Sequence, residues 1–289
     1  MSNLRIQPFF HDATGTWTYV VDRGGDAVVI DPVLDYDPKS GTLGDASIAQ
    51  VLAHVRDRGL RVHHVLETHA HADHLSAAQL VRAQTGAPVG IGAGIASVQA
   101  HFAKVFGIDG GELAHAFDAT FSDGERIDAG ALRFAVMATP GHTSDSLSYV
   151  IDGNVFVGDT IFAPDVGTAR CDFPGGSIDA LHASIRRLYA MPDDTVLWLC
   201  HDYPPEGREA RASVTVAEQK RDNRMLGGQT TLEDFRVRRS ARDASLAAPN
   251  LLYPSLQVNI RGGRLPPPQA NGTRYLATPL KNTGLPGLA

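Results

Sequence analysis

Cysteine is scarce in this sequence, and its scarcity excludes one class of domain. Among 289 residues only Cys171 and Cys200 are cysteines. Two thiols cannot form the disulfide framework of a small secreted domain, and their number agrees with a reducing compartment. We therefore expect free thiols. Cys171 is either a reactive thiol near a site or, as is commoner, an inert buried one.

Long apolar runs and basic blocks are also absent. No segment approaches the roughly 18 apolar residues of a membrane-spanning helix, and the opening stretch MSNLRIQPFFHDATG has no signal-peptide run. The net charge is −6, with acidic and basic residues interspersed. A nucleic-acid partner would require a basic surface. The sequence thus predicts a soluble, cytoplasmic protein without a membrane or nucleic-acid partner.

What the sequence does contain is two regions of mixed strand and helix patterns. Hydrophobic residues make up 43% of the chain, enough for one large core or two smaller ones. The patterns of the first region predict strands at 4–10, 16–23, 26–33, 61–69 and 87–92, with helices at 45–58, 74–86 and 94–107. Those of the second predict hairpins over 121–159, a strand at 195–203, and helices at 177–191 and 213–226.

The pattern changes after residue 226. A short charged helix is predicted within 227–250, and residues 261–289 are rich in proline and glycine. The intervening stretch LLYPSLQVNI, residues 251–260, has enough apolar residues to require burial. We therefore predict a catalytic domain of residues 1–226 and an extension of residues 227–289 that packs on it. An arm for a partner is the alternative.

The stretch THAHADH, residues 68–74, gathers three histidines and an aspartate at the end of a predicted strand. His69 and His71 would alternate on the extended segment, while Asp73 and His74 would lie in the first turn of the next helix. All four side chains would then converge on one point. Asp73 has an alternative role as the helix N-cap, which does not exclude metal binding.

Three more polar residues follow apolar strands: His142, Asp159 and His201. Taken singly, each is commonly a turn former. Asp159 follows VFVG, where a buried carboxylate is strongly unfavourable unless it is paired or bound to a cation. Together with the histidine cluster, these residues predict a transition-metal site. Six histidines lack comparable settings and are interpreted as surface or ordinary core residues: His54, His63, His64, His101, His115 and His182.

The motifs THAHADH, TPGHT, GDTIF and CHDY, in this order, resemble those of the metallo-β-lactamase superfamily. Over roughly residues 4–226 this resemblance implies an α/β (α+β) fold. It is the four-layer αββα sandwich, in which two mixed sheets are flanked by helices and the metal site lies at one edge between them. The element HDY, with Tyr203, and the stretch ARCDFPGG are most similar to the persulfide dioxygenases, also called sulfur dioxygenases. Next come the glyoxalase II thioesterases, and Cys171 departs from the threonine usual in the dioxygenases.

The resemblance to the dioxygenases implies a reaction and a set of roles. It implies one Fe²⁺ per chain on His69, His142 and Asp159, a set that leaves positions open for substrate and O₂. Glutathione persulfide, or a related small persulfide, would be oxidised to sulfite and thiol, as in sulfide detoxification. A homodimer is also implied. Tyr203 would take part in catalysis, and three residues would contact the substrate: Arg170, Tyr203 and Arg224. The alternative for Arg224 is a solvated helix arginine.

Four further candidates keep a second hypothesis open: His71, Asp73, His74 and His201. In the dioxygenase hypothesis they orient the metal ligands. In a glyoxalase II-like hypothesis they bind a second ion, giving a zinc or mixed dinuclear site in which Asp159 bridges and a hydroxide attacks a glutathione thioester. A third hypothesis is a metal-bound regulatory or binding module without turnover.

Overall fold

The structure is a computed structural model that describes residues 3–280. Its strands in chain order are β1 (Arg5–His11), β2 (Thr16–Arg23), β3 (Asp26–Ile30), β4 (Val33–Asp37), β5 (Thr42–Gly44), β6 (Arg61–Leu66), β7 (Leu75–Ser76), β8 (Val89–Gly92), β9 (Ala119–Phe121), β10 (Arg126–Ala129), β11 (Leu132–Ala138), β12 (Leu147–Ile151), β13 (Asn154–Phe156), β14 (Val196–Trp198) and β15 (Ser213–Thr215). Its helices are α1 (Ala46–Asp57), α2 (Ala78–Thr85), α3 (Ile95–Phe106), α4 (Gly110–Leu113), α5 (Ile178–Tyr189), α6 (Val216–Asp222), α7 (Leu232–Ala244) and α8 (Leu252–Asn259).

Two six-stranded mixed sheets form the centre of the fold. The first has the order β1-β2-β3-β6-β8-β9, an antiparallel meander continued by parallel strands. The second has the order β10-β11-β12-β13-β14-β15, which is antiparallel except for the pair β13 and β14. The turn between β12 and β13 is made by Asp152 and Gly153, both at positive φ, as a tight hairpin requires.

The two sheets pack face to face, and helices cover their outer faces. Tyr19 and Leu66 of the first sheet meet Phe156 of the second in one buried cluster. Helices α1 and α2 cover the first sheet, and α5 covers the second. The predicted four-layer αββα sandwich is confirmed. None of the described helices combines the length and the apolar character that crossing a bilayer requires.

The segment after the histidine cluster differs from its prediction. Helix α2 begins at Ala78, and its N-cap is Ala77, which makes no side-chain capping bond. The prediction that Asp73 and His74 lie in a first helical turn is therefore wrong, and Asp73 does not take the alternative role of its N-cap. The physical reason is a third sheet, β5-β4-β7, in which Leu75 and Ser76 pair with β4 and hold the chain extended. Residues 213–215, predicted as helix, form β15.

The extension lies against both halves of the sandwich. Helix α7 packs on α5 and buries Phe235 completely in the apolar cluster beneath the second sheet. Helix α8 packs on β7 and α3, where Leu256 and Ile260 are buried. Helices α7 and α8 of the extension are therefore continuous with the core, whereas residues 267–280 are mostly exposed, and the domain boundary at 226 stays a prediction. Residues 281–289 of the predicted tail lie outside the described residues.

Candidate metal centre

Loops at one edge of the two sheets bring all seven predicted donor residues together. Strand β6 ends at Leu66, so the histidine cluster lies in the loop between β6 and β7. His142 lies between β11 and β12, Asp159 follows β13 and His201 follows β14. The loop that carries Asp159 packs closely against Thr68 at Gly158. There φ is +54°, and an added Cβ would lie 2.8 Å from the side chain of Thr68. Only glycine fits there without strain.

The first group of donors contains His69, His142 and Asp159. Oδ2 of Asp159 lies 3.6 Å from Nε2 of His142 and 3.9 Å from Nε2 of His69. All three residues are buried. Two imidazoles and one carboxylate therefore face a common point, as the sequence predicts.

The second group contains His71, Asp73, His74 and His201. Nε2 of His201 lies 3.3 Å from Oδ2 of Asp73 and 3.4 Å from Oδ1 of Asp159. One oxygen of Asp159 thus faces each group, and the two groups are neighbours.

Unpartnered polar atoms test whether these residues fit a metal ion. Buried polar atoms in proteins nearly always have a hydrogen-bond partner. Among the described residues, six buried nitrogen and oxygen atoms that could bind a metal have no hydrogen-bond partner: His69 Nε2, His71 Nδ1, Asp73 Oδ2, His74 Nε2, Asp159 Oδ1 and His201 Nε2. Imidazole nitrogens with carboxylate oxygens are a donor set for transition metals. Four of these atoms belong to the second group, His69 Nε2 belongs to the first, and Asp159 Oδ1 faces His201. The residues therefore offer ligands for an ion in either group.

The remaining ring nitrogens are held by hydrogen bonds. Nδ1 of His142 donates to the carbonyl of Arg170 at 2.8 Å, and Nδ1 of His69 lies 3.1 Å from Oγ1 of Thr68. Nδ1 of His201 and of His74 lie 3.1 and 3.4 Å from the same hydroxyl, that of Thr16. Such contacts fix the orientation of each ring and determine which nitrogen is free for a metal.

Asp31 holds the remaining histidine and was missed by sequence reasoning. Its Oδ1 accepts a hydrogen bond from Nε2 of His71 at 3.1 Å, and its two oxygens also accept from the amide and hydroxyl of Thr68. Asp31 follows β3 directly and has φ of +49°. Its position after an apolar strand is the same signal that identified Asp159. No comparable signal marks Thr16.

Burial and mutual charge set the protonation of the donors. Burial, and then the neighbouring histidines, lower the pKa of His69 well below its ordinary value, and burial and His71 lower the pKa of His74 to about 4. Both rings are therefore neutral near pH 7, which is the form that binds metals. Burial alone would lower the pKa of His71, but Asp31 raises it well above the usual value. Likewise, His201 and His74 lower the pKa of Asp73 in spite of its burial.

A cavity of about 1350 Å³ opens on the donors. Its lining includes His142 and Asp159 of the first group and Asp73 and His74 of the second. Residues of α7 and the segment after it form part of its wall. Tyr203 is 52% exposed over this cavity, and its ring lies parallel to that of His201 at 5.8 Å between centroids. Although half of the residue is exposed, partial desolvation of its phenol and then the carboxylates of Asp73 and Asp159 raise the pKa of Tyr203, so the phenol stays protonated.

The two arginines that are predicted to contact substrate also line the cavity, and they differ in how far their guanidinium groups are hydrogen-bonded. Arg224 is exposed, with one hydrogen bond to the carbonyl of Asp165. All three nitrogens of the Arg170 guanidinium are engaged, two by Asp172 and one by the carbonyl of Ala247 in the extension. The structure thus brings both arginines to the site, and their substrate contacts stay predictions.

Two further residues bear on the sequence predictions. Cys171 is buried in the apolar cluster beneath the second sheet, and burial raises the pKa of its thiol to about 12, which supports the inert interpretation. His11, not considered from the sequence, lines the cavity. Its ring contacts the hydroxyl of Thr14 at 2.7 Å and the carboxylate of Asp35 at 3.1 Å.

Comparisons with known proteins agree with this geometry. The family model described as the metallo-beta-lactamase superfamily matches residues 11–201. A Burkholderia pseudomallei protein named "Probable metallo-hydrolase" is 46% identical, covering 96% of this chain and 99% of its own. "Glyoxylase B2" of Dictyostelium discoideum is 39% identical, covering 97% and 98%.

More distant matches carry the name ETHE1. The crystal structure of ETHE1 from Myxococcus xanthus is similar with a TM-score of 0.72 and 29% identity, covering 90% of this chain and 100% of that one. The human mitochondrial "Persulfide dioxygenase ETHE1" is 27% identical over 205 residues, covering 69% of each chain.

Proposed function

Because this chain belongs to the metallo-beta-lactamase superfamily, we propose that its metal centre is that of an iron-dependent dioxygenase for a small persulfide. The observation that carries the proposal is the first donor group, His69, His142 and Asp159, which lies at the wall of a large cavity. Two imidazoles and one carboxylate on one face of an ion are the donor set of non-haem iron oxygenases. The similarity to proteins named ETHE1 supports the same class of reaction.

Ferrous iron, when bound, supplies the positions at which a persulfide sulfur and O₂ meet. The overall reaction is balanced when a persulfide anion, O₂ and water give a thiol and hydrogen sulfite. Both oxygen atoms of O₂ and the oxygen of water then end on the terminal sulfur, and the bond between the two sulfurs breaks.

The side chains around the first donor group have separate tasks in this proposal. The carbonyl of Arg170 holds the ring of His142 so that Nε2 faces Asp159. Phe162 and Phe173 line the cavity beside the donors and limit access of water. The protonated phenol of Tyr203 can donate a hydrogen bond to an anionic sulfur. The guanidinium of Arg224 is available for a carboxylate of the carrier thiol, for which glutathione is the first choice.

Oxygen consumption tests the proposal. The protein is reconstituted with Fe²⁺ without oxygen, its iron content is measured, and glutathione persulfide is added in an oxygen electrode. We expect O₂ uptake with formation of sulfite, and none with the His142→Ala variant. Iron-loaded protein that consumes no O₂ with glutathione persulfide or related small persulfides would contradict the proposal.

A dinuclear hydrolase is the second candidate, and one observation favours it. Asp159 directs one oxygen to each donor group, and the second group offers four atoms of its own. Relatives named as a metallo-hydrolase and a glyoxylase support this candidate. Such an enzyme would hold two metal ions per chain and release thiol from S-lactoylglutathione without oxygen. If the metal-loaded protein is inactive in both assays, the remaining hypothesis is a metal-bound regulatory or binding module without turnover.

A further inference from the structure

A single asparagine in helix α8 contacts the loop that carries most of the second donor group. Asn259, at the end of α8, is buried with 4% of its surface exposed. Its Nδ2 donates to the carbonyls of His71 and His74, both at 2.8 Å. Its Oδ1 accepts from the amide of Ser76 at 2.8 Å. The residue is 183 positions from Ser76 in the chain.

Few side chains can donate two hydrogen bonds and accept a third, as Asn259 does here. An asparagine amide donates two hydrogen bonds and accepts others, whereas aspartate has no donor when ionised. The two carbonyls that Asn259 binds belong to His71 and His74, whose rings are themselves donors of the metal centre. The chain from Glu67 to His74 lies outside helices and strands. Its buried carbonyls therefore depend on contacts of this kind.

We propose that Asn259 is a positioning residue for the metal centre, through which the extension fixes the backbone of the loop from His71 to Ser76. The extension is then a structural part of the metal centre and not only a cover on the core. This inference rests on the presence of a metal centre, and it is independent of whether the centre oxidises a persulfide or hydrolyses a thioester.

The test compares Asn259→Asp and Asn259→Leu with a matched variant on the same helix. Gln257 is also 4% exposed, and its side chain also makes three hydrogen bonds, to the carbonyls of Tyr253 and Ala277 and from the amide of Ala277. None of these hydrogen bonds involves the loop from His71 to Ser76. Gln257→Leu therefore removes equivalent contacts from α8 and serves as the control.

Metal affinity and thermal stability are measured on the full chain, with Co²⁺ in competition with a chromophoric chelator. We expect both Asn259 variants to bind Co²⁺ about 10- to 100-fold more weakly, as is typical when partners of metal ligands are lost. Gln257→Leu should lower the melting temperature of the metal-free protein but change the Co²⁺ affinity by less than about threefold, since its contacts are separate. Equal affinities in Asn259→Asp and Gln257→Leu would overturn the proposal.

A measurement on the unaltered chain covers the case in which the Asn259 variants do not fold. Hydrogen exchange is followed at the amide of Ser76 after the metal has been removed. We expect this amide to stay protected, because its acceptor belongs to Asn259 and not to the metal. Exchange of Ser76 at the rate of an open loop in the folded, metal-free protein would overturn the proposal. Because both tests use metal binding or exchange, failure of the dioxygenase assay leaves them unaffected.

Discussion

The two donor groups differ in what holds them. In the first group the outer nitrogens are fixed by the loops that carry the donors, His142 by the carbonyl of Arg170 in the loop of Asp159 and His69 by the hydroxyl of the preceding Thr68. In the second group the fixing residues are remote in the chain: Thr16 and Asp31 from the first sheet, and Asn259 from the extension. The first group is therefore held mostly by its own loops, with Asp31 behind Thr68, and the second depends directly on three other parts of the molecule.

This difference suggests separate tasks for the two groups. The first group needs few partners and reaches the cavity through His142 and Asp159, which suits a metal that meets substrate, and Asp73 and His74 of the second group line the same cavity. The second group is joined to the core by hydrogen bonds, which suits residues that fix the shape of the centre. Asp159 connects the two, because one of its oxygens faces each group. Substitutions in the two groups should therefore have unequal effects.

Asp159→Asn should have the largest effect because it alters both groups at once. The amide keeps the volume of the side chain but removes the negative charge that both sets of histidines face. We expect metal affinity and turnover to fall by about 100-fold or more, since loss of a residue that only supports a ligand already costs about 10- to 100-fold. Elemental analysis and the oxygen electrode measure bound metal and turnover. Asp165→Asn, in the same cavity, is the control, and an unchanged metal content in Asp159→Asn would show that Asp159 is not a ligand.

A pair of histidine variants tests the comparison directly. In the proposed dioxygenase, His142→Ala removes a ligand and should abolish O₂ uptake. His201→Ala should keep about one iron per chain and lose about 10- to 100-fold in rate, as for a residue that supports ligands. Iron analysis beside O₂ uptake distinguishes the outcomes. If both variants lose activity equally while the content falls from two metals to one, the groups are equivalent and the hydrolase hypothesis is favoured.

Thr16→Val should have a smaller effect that is confined to the second group. The hydroxyl of Thr16 lies between Nδ1 of His74 and Nδ1 of His201, and valine removes it without much change in volume. We expect metal affinity or turnover to fall by about tenfold. Thr195→Val, at another buried threonine, should leave both unchanged. A Thr16→Val variant with the affinity and rate of the unaltered protein would mean that the two rings need no such support.

How far the sequence predicts this site can be judged from the same residues. Strand-end polar residues and the superfamily motifs are local features, so the sequence alone identifies His142, Asp159 and His201 as candidates. The partners Thr16 and Asn259 could not be identified in this way, because their roles arise only when distant elements meet. The start of α2 was predicted wrongly for a similar reason. Leu75 and Ser76 fit a helical pattern, but pairing with β4 outweighs that local preference.

We expect the smallest effect in the reactivity of the two cysteines. One cysteine lies next to each donor group. Cys171 follows Arg170, whose carbonyl holds His142, and its own amide donates to Asp243 of α7. Cys200 precedes His201 and lies 3.7 Å from Asp31. Burial raises the pKa of Cys171 from 9.0 to about 12, so its thiolate fraction at pH 8 falls by about 1000-fold, and burial also raises the pKa of Cys200.

Alkylation with iodoacetamide at pH 8, followed by mass spectrometry of the peptides, measures this reactivity with and without a chelator. Both thiols should react slowly in the folded protein and fully in denaturant. Removal of the metal should leave Cys171 unchanged, because an apolar cluster and α7 hold it. If Thr16, Asp31 and Asn259 hold the second group without help, Cys200 should also stay slow. Rapid labelling of Cys200 alone would show that the second group needs a metal to keep its shape, which reverses the assignment of a purely supporting task.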